Sequence, residues 1–485
     1  MQPKFESFRR NIIGQDLEFL TPYGKQKLVY ADWIASGRLY KPIEKKMMDV
    51  FGPYVGNTHT ETNITGTTMT EAYHHAQHSI KRHCNAGPND VIIMAGSGMT
   101  TVINKFQRML GLRIPEQLLP FLSVKNSIKP VVFITHMEHH SNHTSWLETI
   151  ADVVVIPPDA NGLVSPENLE REIKRYPARR LKIGAFTAAS NVTGIQPPYY
   201  ELAKIMHHYG GHIFVDFACS APYVDINMHP EDENARLDAV MFSPHKFLGG
   251  PGTPGVLIFN ADLYHNRVPD NPGGGTVDWT NPWGEHRFIS DIEAREDGGT
   301  PAFLQTIRTQ LAIELKNKMG TEAILMKEHL LVDRFIDAAE PIKGLHILAG
   351  NIRERLGAIS LYIDGIHYNL IVKLLNDRFG IQVRGGCSCA GTYGHYLLNV
   401  TPEKSHSITE KIDHGDLSEK PGWVRVSLHP TMTTDDVDYI ADALKQIARY
   451  HGKWSRDYCY STKKNEFFHK TWKSPLSIPE MFTLK

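Results

Sequence analysis

The sequence predicts an α/β protein: a large domain with a mainly parallel sheet, followed by a smaller α+β domain. From about residue 90 to 260, short runs rich in Val and Ile alternate with helix-like segments. Runs that are apolar throughout suit strands covered on both faces. After about residue 340 the hydrophobic pattern changes and predicts isolated strands and one long amphipathic helix. A chain of 485 residues with 41% hydrophobic content can bury both cores.

Seven apolar runs are the predicted strands of the large domain. Their alternation with helices favours parallel pairing, because parallel neighbours need a crossover connection. One such helix, Glu201–Tyr209, stops at Gly210, which suits a C-terminal cap. The strands are expected at residues 91–94, 131–134, 153–156, 183–186, 213–215, 240–242 and 256–258.

The smaller domain is expected to contain the strands Ala358–Ile363 and Trp423–Ser427 and the helix Thr434–Tyr450, capped by Thr433 or Thr434. A long linking helix is expected over Thr306–Ile336, and the aromatic, basic segment after residue 450 is expected to pack on the body. The predicted ranges are an N-terminal arm (1–29), the large domain (30–305), the linking helix and small domain (306–450) and a C-terminal extension (451–485).

Composition excludes several classes of function. The formal net charge of −1 gives no electrostatic footprint for nucleic acid or an anionic membrane surface. Five cysteines, an odd number in a long chain, argue against a disulfide framework and favour a reducing compartment. The charged first residues do not resemble a signal peptide, and no run approaches the ~18 apolar residues of a membrane span. We therefore expect a soluble, cytoplasmic protein.

Lys246 and Asp216 carry the most specific chemical signal. Each follows an apolar run, so both are expected at the carboxyl ends of neighbouring strands, where ligands of parallel sheets bind. A pyridoxal phosphate (PLP) site requires these two groups: the lysine amine forms a Schiff base with the cofactor aldehyde, and the carboxylate keeps the pyridine nitrogen protonated. The sequence therefore predicts a PLP enzyme.

Two further segments follow predicted strands. Residues 96–101, Gly-Ser-Gly-Met-Thr-Thr, open an apolar helix and suit a phosphate cup, although a tight turn with an N-cap is the better explanation if they are taken alone. His139 can stack on a pyridine ring and shuttle protons, or it can be an ordinary polar residue. His136, His139, His140 and His143 have the spacing of a metal site on a helix face. No cysteine and no clear set of acidic ligands accompanies them, so no metal is expected.

Three other positions allow both a functional and a structural interpretation. Asn191 ends a strand and can bond the cofactor's phenolic oxygen, or belong to a plain turn. Arg425 can hold a substrate carboxylate, or form a surface ion pair. Cys387 and Cys389 lie in a glycine-rich loop, where they can carry out redox or nucleophilic chemistry. The Cys-x-Cys pattern can also be half of a metal site or have arisen by chance.

Together these segments resemble the class V aminotransferase family of fold-type I PLP-dependent transferases, especially its cysteine desulfurase and selenocysteine lyase-like branch. The resemblance runs from about Tyr30 to Tyr450. It implies a homodimer that removes sulfur or selenium from L-cysteine through a cysteine persulfide, with a sulfur-acceptor protein as a further partner.

The family's motifs imply a role for individual residues. His139 stacks on the ring, Asn191 contacts the cofactor, Ser243 and His245 bind the phosphate, and the hydroxyl of Thr276 reaches the phosphate across the dimer interface. The implied cofactor-binding set is Ser97, Gly98, Thr100, His139, Asn191, Asp216, Ser243, His245, Lys246 and Thr276. The implied catalytic set is Lys246, His139 and Cys389, and the substrate is bound by Arg425, Arg384 and Asn191.

The chain departs from the family at three places. Cys219 stands where the family has a glutamine that donates to the cofactor, residues 391–422 form a longer connection, and Cys387 is an additional cysteine. These departures leave a second hypothesis open: an aminotransferase, epimerase or other lyase acting on a different amino acid. A non-catalytic relative is disfavoured, because Lys246 and Asp216 are both present.

Overall fold

The computed structural model describes residues 2–58, 60–121, 123, 125 and 129–484. The chain divides into two compact units. The sheet unit is Ile34–Leu325, and the terminal unit combines Met1–Trp33 with Met326–Lys485. The four domain ranges expected from the sequence stay a prediction.

A seven-stranded sheet forms the centre of the sheet unit. All seven predicted strands are present, and four parallel pairings join five adjacent strands of the sheet, which confirms the predicted fold class. Gly255–Asn260 alone runs antiparallel to its two neighbours. The strand order is Asp90–Ala95, Gly255–Asn260, Ala239–Phe242, His212–Asp216, Lys182–Thr187, Val131–Thr135 and Asp152–Ile156.

Helices and one hairpin complete the sheet unit. The helices are Lys41–Lys46, Ile64–His83, Met99–Met109, His140–Leu147, Pro166–Ile173, Tyr199–His208, Ile292–Arg295 and Phe303–Met319, and the hairpin pairs Val277–Thr280 with His286–Phe288. The expected linking helix is two helices, Phe303–Met319 and Thr321–Ala339. They are interrupted at Gly320, whose φ of 80° is a left-handed conformation that ends the first helix.

The terminal unit contains a four-stranded antiparallel sheet in the order Leu345–Ile347, Ala358–Ile363, Trp423–Ser427 and Arg384–Gly386. Both strands expected here are confirmed. The expected long helix is Thr434–Trp454, and its N-cap is Thr433, in a reciprocal capping box with Asp436. The other helices are Gln2–Arg9, Tyr368–Phe379, Gly391–Leu397 and Pro402–Asp413, so the long 391–422 connection is largely helical.

Short strand pairs attach both chain ends to this unit. They are Glu18–Thr21 with Gly24–Lys27, Val29–Tyr30 with Ile381–Gln382, and Tyr458–Ser461 with Glu466–His469. In the C-terminal hairpin, Tyr458 donates to the carboxylate of Asp377 at 2.9 Å, and Asn465 donates to the hydroxyl of Tyr368 at 2.6 Å. The hairpin of the extension therefore packs on the terminal unit, as the sequence indicated, whereas Leu476, Phe482 and Leu484 beyond it are exposed.

Among the described residues, none of the helices combines the length and the apolar character that a membrane crossing demands.

One hydrophobic core of the sheet unit lies between the sheet and the helix Met99–Met109. Phe106 on this helix is fully buried, and its ring centroid lies 4.9 Å from those of Phe214 and Phe259 on two sheet strands. Tilted aromatic contacts of this kind add to the free energy gained from burial. This packing fixes the helix that begins at the predicted phosphate turn.

We expect Phe106→Ala to destabilise the sheet unit by about 3–5 kcal/mol, because it removes a buried ring from a closely packed core. Urea unfolding followed by fluorescence measures the loss. Phe121→Ala is the matched control, since the Phe121 side chain is 83% exposed. Equal unfolding midpoints for the two variants would contradict the assigned core.

Candidate active site

Asp216 and Lys246 lie at one edge of the central sheet. Asp216 is the last residue of its strand and pairs in register with Met241 on the neighbouring parallel strand. That neighbour ends at Phe242 and leads directly into the short helical turn Pro244–Lys246. The parallel register therefore brings the acid and the amine to the same side of the sheet, as predicted.

Electrostatics support this proximity. Burial raises the pKa of the Asp216 carboxyl to about 6, while a hydrogen bond from the Ala218 amide, at 2.8 Å, and the positive charge of Lys246 lower it. Asp216 is therefore mainly ionised at neutral pH. A buried carboxylate in this position can hold a proton on a nearby ring nitrogen.

Close backbone contacts hold the Lys246 turn in place. The carbonyl of His245 accepts a hydrogen bond from the Gly37 amide at 2.9 Å. A Cβ atom added at Gly37 would lie 1.9 Å from the carbonyl oxygen of Phe247, so only glycine allows this approach. Burial and the neighbouring Lys246 charge lower the pKa of His245 to about 4, which keeps its imidazole neutral.

A small cradle lies where the predicted phosphate turn meets the Lys246 segment. The Met99 amide, at the start of an 11-residue helix, donates to the Ser243 hydroxyl at 2.8 Å. A Cβ added at Gly98 would lie 3.0 Å from that hydroxyl oxygen and 3.6 Å from Nε2 of His245. A glycine backbone, a hydroxyl and an imidazole gathered at a helix N-terminus are groups that can bind a phosphate. The residues present thus fit PLP.

A chain of hydrogen bonds joins the phosphate turn to His139. The hydroxyl oxygens of Thr100 and Ser141 are 2.6 Å apart, and Ser141 Oγ is 3.1 Å from Nδ1 of His139. The Ser141 amide also donates to Nδ1 at 3.0 Å, so the proton of the neutral ring is on Nε2. The structure therefore brings Thr100 and His139 together, whereas Ser97 is exposed on the turn that precedes them.

The histidines do not share a helix face. His139 is the N-cap of the helix His140–Leu147, and His136 lies before it with Nε2 3.1 Å from the Gly162 carbonyl oxygen. The i, i+3, i+4 and i+7 spacing therefore does not correspond to a helix. In the part of the chain that the structure describes, no three His, Cys, Asp or Glu side chains are grouped as metal ligands.

Glu138 is a buried residue of this region that sequence reasoning did not select. Its carboxyl accepts from the Thr135 hydroxyl at 2.7 Å, the Thr187 amide at 2.9 Å and the Asn142 side-chain amide at 2.8 Å. Complete burial raises its pKa to about 8; the hydrogen bonds lower it and the charge of Asp216 raises it. Thr135 and Asn142 are near in sequence, but Thr187 is 49 positions away, and the position of Glu138 next to His139 was the main signal that the sequence offered.

Asn191 lies buried in the turn after the strand Lys182–Thr187, again at this edge of the sheet. The Ser190 hydroxyl accepts from the Val192 amide at 3.1 Å and stabilises the turn. Cys219, which stands at the position of the family's glutamine, directs its thiol at the Ser190 carbonyl oxygen, 3.6 Å away. Cys219 thus stabilises the segment that carries Asn191.

Thr276 is also fully buried in the sheet unit. Its hydroxyl donates to the Gly273 carbonyl at 2.6 Å and accepts from the Gly273 amide at 3.2 Å, which closes the glycine-rich loop. Its expected role across a dimer interface stays a prediction.

In the terminal unit, Arg425 and Arg384 lie side by side, while their role in binding a substrate stays a prediction. They are paired across adjacent strands, and both contact Asp32, which sequence reasoning missed. Nη2 of Arg425 is 2.9 Å from one carboxylate oxygen of Asp32, and Nε of Arg384 is 3.3 Å from the other. Arg425 is only 3% exposed. Two guanidinium groups on one carboxylate leave a net positive charge that suits a second carboxylate.

Comparisons with known proteins identify the family. The model of the aminotransferase class-V family matches residues 29–440. A probable cysteine desulfurase of Halalkalibacterium halodurans is 27% identical over 429 residues, covering 88% of this chain and 94% of that protein. A probable cysteine desulfurase of Staphylococcus aureus is 26% identical over 449 residues, covering 92% and 98%.

Solved structures agree on the fold. The apo structure of cysteine desulfurase from Thermococcus onnurineus superposes with a TM-score of 0.72 at 20% identity, and the Escherichia coli cysteine desulfurase CsdA with 0.70 at 22% identity. Each covers 92% of this chain and 98% of the solved chain. The chain belongs to the aminotransferase class-V family, which confirms the predicted resemblance and the expectation of a PLP-dependent enzyme.

Glu138 makes stability depend on pH. Its pKa rises from 4.5 to about 8 on folding, so its contribution to stability is complete below pH 4.5 and is lost as the pH rises through about 8. We expect wild type to lose stability relative to Glu138→Gln between pH about 5 and about 9. Urea midpoints of both proteins at the two pH values measure this. A difference that does not change with pH would contradict the raised pKa.

Proposed function

We propose that this protein is a PLP-dependent enzyme that removes sulfur, or selenium, from L-cysteine through a persulfide on Cys389. The observation that carries the proposal is the placement of Asp216 and Lys246 at neighbouring strand ends beside the cradle of Gly98 and Ser243. The names of the curated relatives support cysteine as the substrate.

The residues of the sheet unit fit the cofactor group by group. Lys246 would hold it through its amine, and Asp216 would hold a proton on the pyridine nitrogen. Ser97, Gly98, Thr100, Ser243 and His245 would surround the phosphate, and Asn191 would bond the phenolic oxygen. His139 would lie against the ring. When bound, PLP supplies an aldehyde for the substrate's amino group and a ring that withdraws electrons from the α-carbon.

The remaining roles follow from the chemistry of each side chain. Arg425 and Arg384 bind the substrate carboxylate, held in orientation by Asp32. The Lys246 amine removes the proton from the α-carbon, and His139 assists in moving protons. The thiolate of Cys389 attacks the substrate's sulfur, so that a sulfur–sulfur bond forms and the carbon–sulfur bond breaks. The products are alanine and a persulfide on Cys389.

We also propose a cytoplasmic homodimer, in which Thr276 acts on the phosphate of the neighbouring subunit, and a sulfur-acceptor protein as partner. Support for these points comes from the family resemblance and from five cysteines of which none forms a disulfide in the structure as described.

A second candidate function keeps the cofactor and changes the reaction. Cys219 bonds the Ser190 turn and replaces a glutamine that would donate to the cofactor, which favours different tuning of the ring. An aminotransferase, epimerase or other lyase acting on another amino acid would fit that difference. A panel of amino acids, followed by absorbance change and product identification, distinguishes the two: alanine with sulfide from L-cysteine decides for desulfuration.

We expect Lys246→Ala to abolish formation of alanine and sulfide from L-cysteine and to remove the visible absorbance of the bound cofactor, since Lys246 supplies the proposed Schiff-base amine. Product assays and an absorbance spectrum test this. Lys174→Ala is the control, because Lys174 is an exposed lysine paired with Glu170 on the surface of the same unit. If the Lys246→Ala variant turned over L-cysteine at the wild-type rate, the proposed role of Lys246 would be refuted.

We expect Cys389→Ser to keep the cofactor but to lower sulfide release at least about a hundredfold, because a hydroxyl cannot accept the sulfur. Sulfide is measured with a thiol reductant present. Cys459→Ser serves as the matched control, since Cys459 is also exposed. Unimpaired sulfide production in Cys389→Ser would exclude the persulfide on this residue.

A further inference from the structure

We propose that Cys387 is a resolving thiol. It attacks the persulfide on Cys389, forms a Cys387–Cys389 disulfide and releases the sulfur as hydrosulfide. The inference rests on the proposed function, because it needs a persulfide on Cys389, and it adds a product and a second redox state to that function.

The two cysteines occupy defined positions of one tight turn. The Ala390 amide donates to the Cys387 carbonyl at 3.0 Å, which closes a four-residue β-turn. Both central residues have positive φ: 51° at Ser388 and 57° at Cys389. This is the pattern of a type I′ turn, which normally carries Gly, Asn or Asp at these positions. Ser388 and Cys389 are therefore held in a backbone conformation that is unfavourable for residues other than Gly, Asn and Asp.

The turn spacing is compatible with a disulfide. Consecutive Cα atoms are ~3.8 Å apart, and the first and fourth Cα atoms of a β-turn lie within ~7 Å. The first and third residues, Cys387 and Cys389, therefore have Cα atoms roughly 5–6 Å apart. This lies inside the range of about 4.4–6.8 Å found for disulfides. A thiol two positions away also has a high effective concentration.

Contacts on both sides of the turn fix its conformation. Nε1 of the buried Trp423 donates to the Ser388 hydroxyl at 3.2 Å. The strand Arg384–Gly386 leads into the turn and pairs with Trp423–Arg425. On the other side, a Cβ added at Gly394 would lie 3.1 Å from the Trp423 ring. Unfavourable backbone angles persist where the surroundings impose them, and such places are often functional.

The two thiols are also accessible. Cys389 is exposed and Cys387 is partly exposed, whereas Cys84 and Cys219 are buried. Cys459 is exposed but lies on the C-terminal hairpin Tyr458–Ser461, far along the chain. A released hydrosulfide can therefore leave the turn, and a reductant can reach it.

The step balances without an external oxidant. The Cys387 thiolate attacks Sγ of Cys389, the bond from that Sγ to the terminal sulfur breaks, and the terminal sulfur leaves with the electron pair as hydrosulfide. The sulfane sulfur is reduced while the two cysteines become a disulfide. A dithiol reductant must then exchange with the disulfide to restore both thiols before the next cycle. Without it, each site releases one sulfide and stops.

The test is a reaction of the cofactor-loaded enzyme with L-cysteine in the absence of reductant, followed by acid quench and mass spectrometry of the peptide that contains the turn. For wild type we expect a loss of about 2 Da, the disulfide, with about one free sulfide per site. For Cys387→Ser we expect a gain of about 32 Da on Cys389 and at least about tenfold less free sulfide. Cys459→Ser should behave as wild type.

The outcomes separate the two proposals. A persulfide that remains on Cys389 in wild type, to the same extent as in Cys387→Ser, overturns the resolving role while desulfuration stands. No alanine from wild type and L-cysteine overturns the desulfurase function, and the resolving role with it. Equal cofactor absorbance in wild type and Cys387→Ser shows that the substitution has not disturbed the fold.

Discussion

The parallel pairing of His212–Asp216 with Ala239–Phe242 is the constraint on which the candidate site depends. Carboxyl ends of parallel strands meet at one edge of a sheet, so residues thirty positions apart in sequence become neighbours there. The same edge carries the turn of Asn191 and the buried Glu138. A shift of one residue in this register would turn Asp216 away from its present side of the sheet and remove it from Lys246.

Hydrogen bonding between strand ends then makes the edge rigid. Glu138 joins the ends of Val131–Thr135 and Lys182–Thr187, and Ser243 joins its own strand to the helix Met99–Met109. Phe106 anchors that helix in the core. A site held in this way is organised before a ligand binds, which lowers the cost of ordering it.

The sequence predicted the parts of this arrangement that depend on local signals. Apolar runs marked all seven strands. Asp216 was recognised because it directly follows one of these runs, and Lys246 because it lies four positions after the end of another. Asp32 was not recognised, because it is 393 residues from its partner Arg425 in the sequence and no local sequence pattern predicts such a pair. The interruption of the linking helix was missed because a single glycine is tolerated in many helices, while Gly320 here takes a left-handed conformation.

The central claim, that Lys246 is the residue that holds the cofactor opposite Asp216, is tested most directly by borohydride reduction of the PLP-loaded protein followed by peptide mapping. Reduction makes the bond between a lysine amine and the cofactor permanent. We predict that the phosphopyridoxyl label is found on Lys246, at about one per chain. Label on another lysine, such as the buried Lys316, or no label on a protein that binds PLP, would contradict the claim.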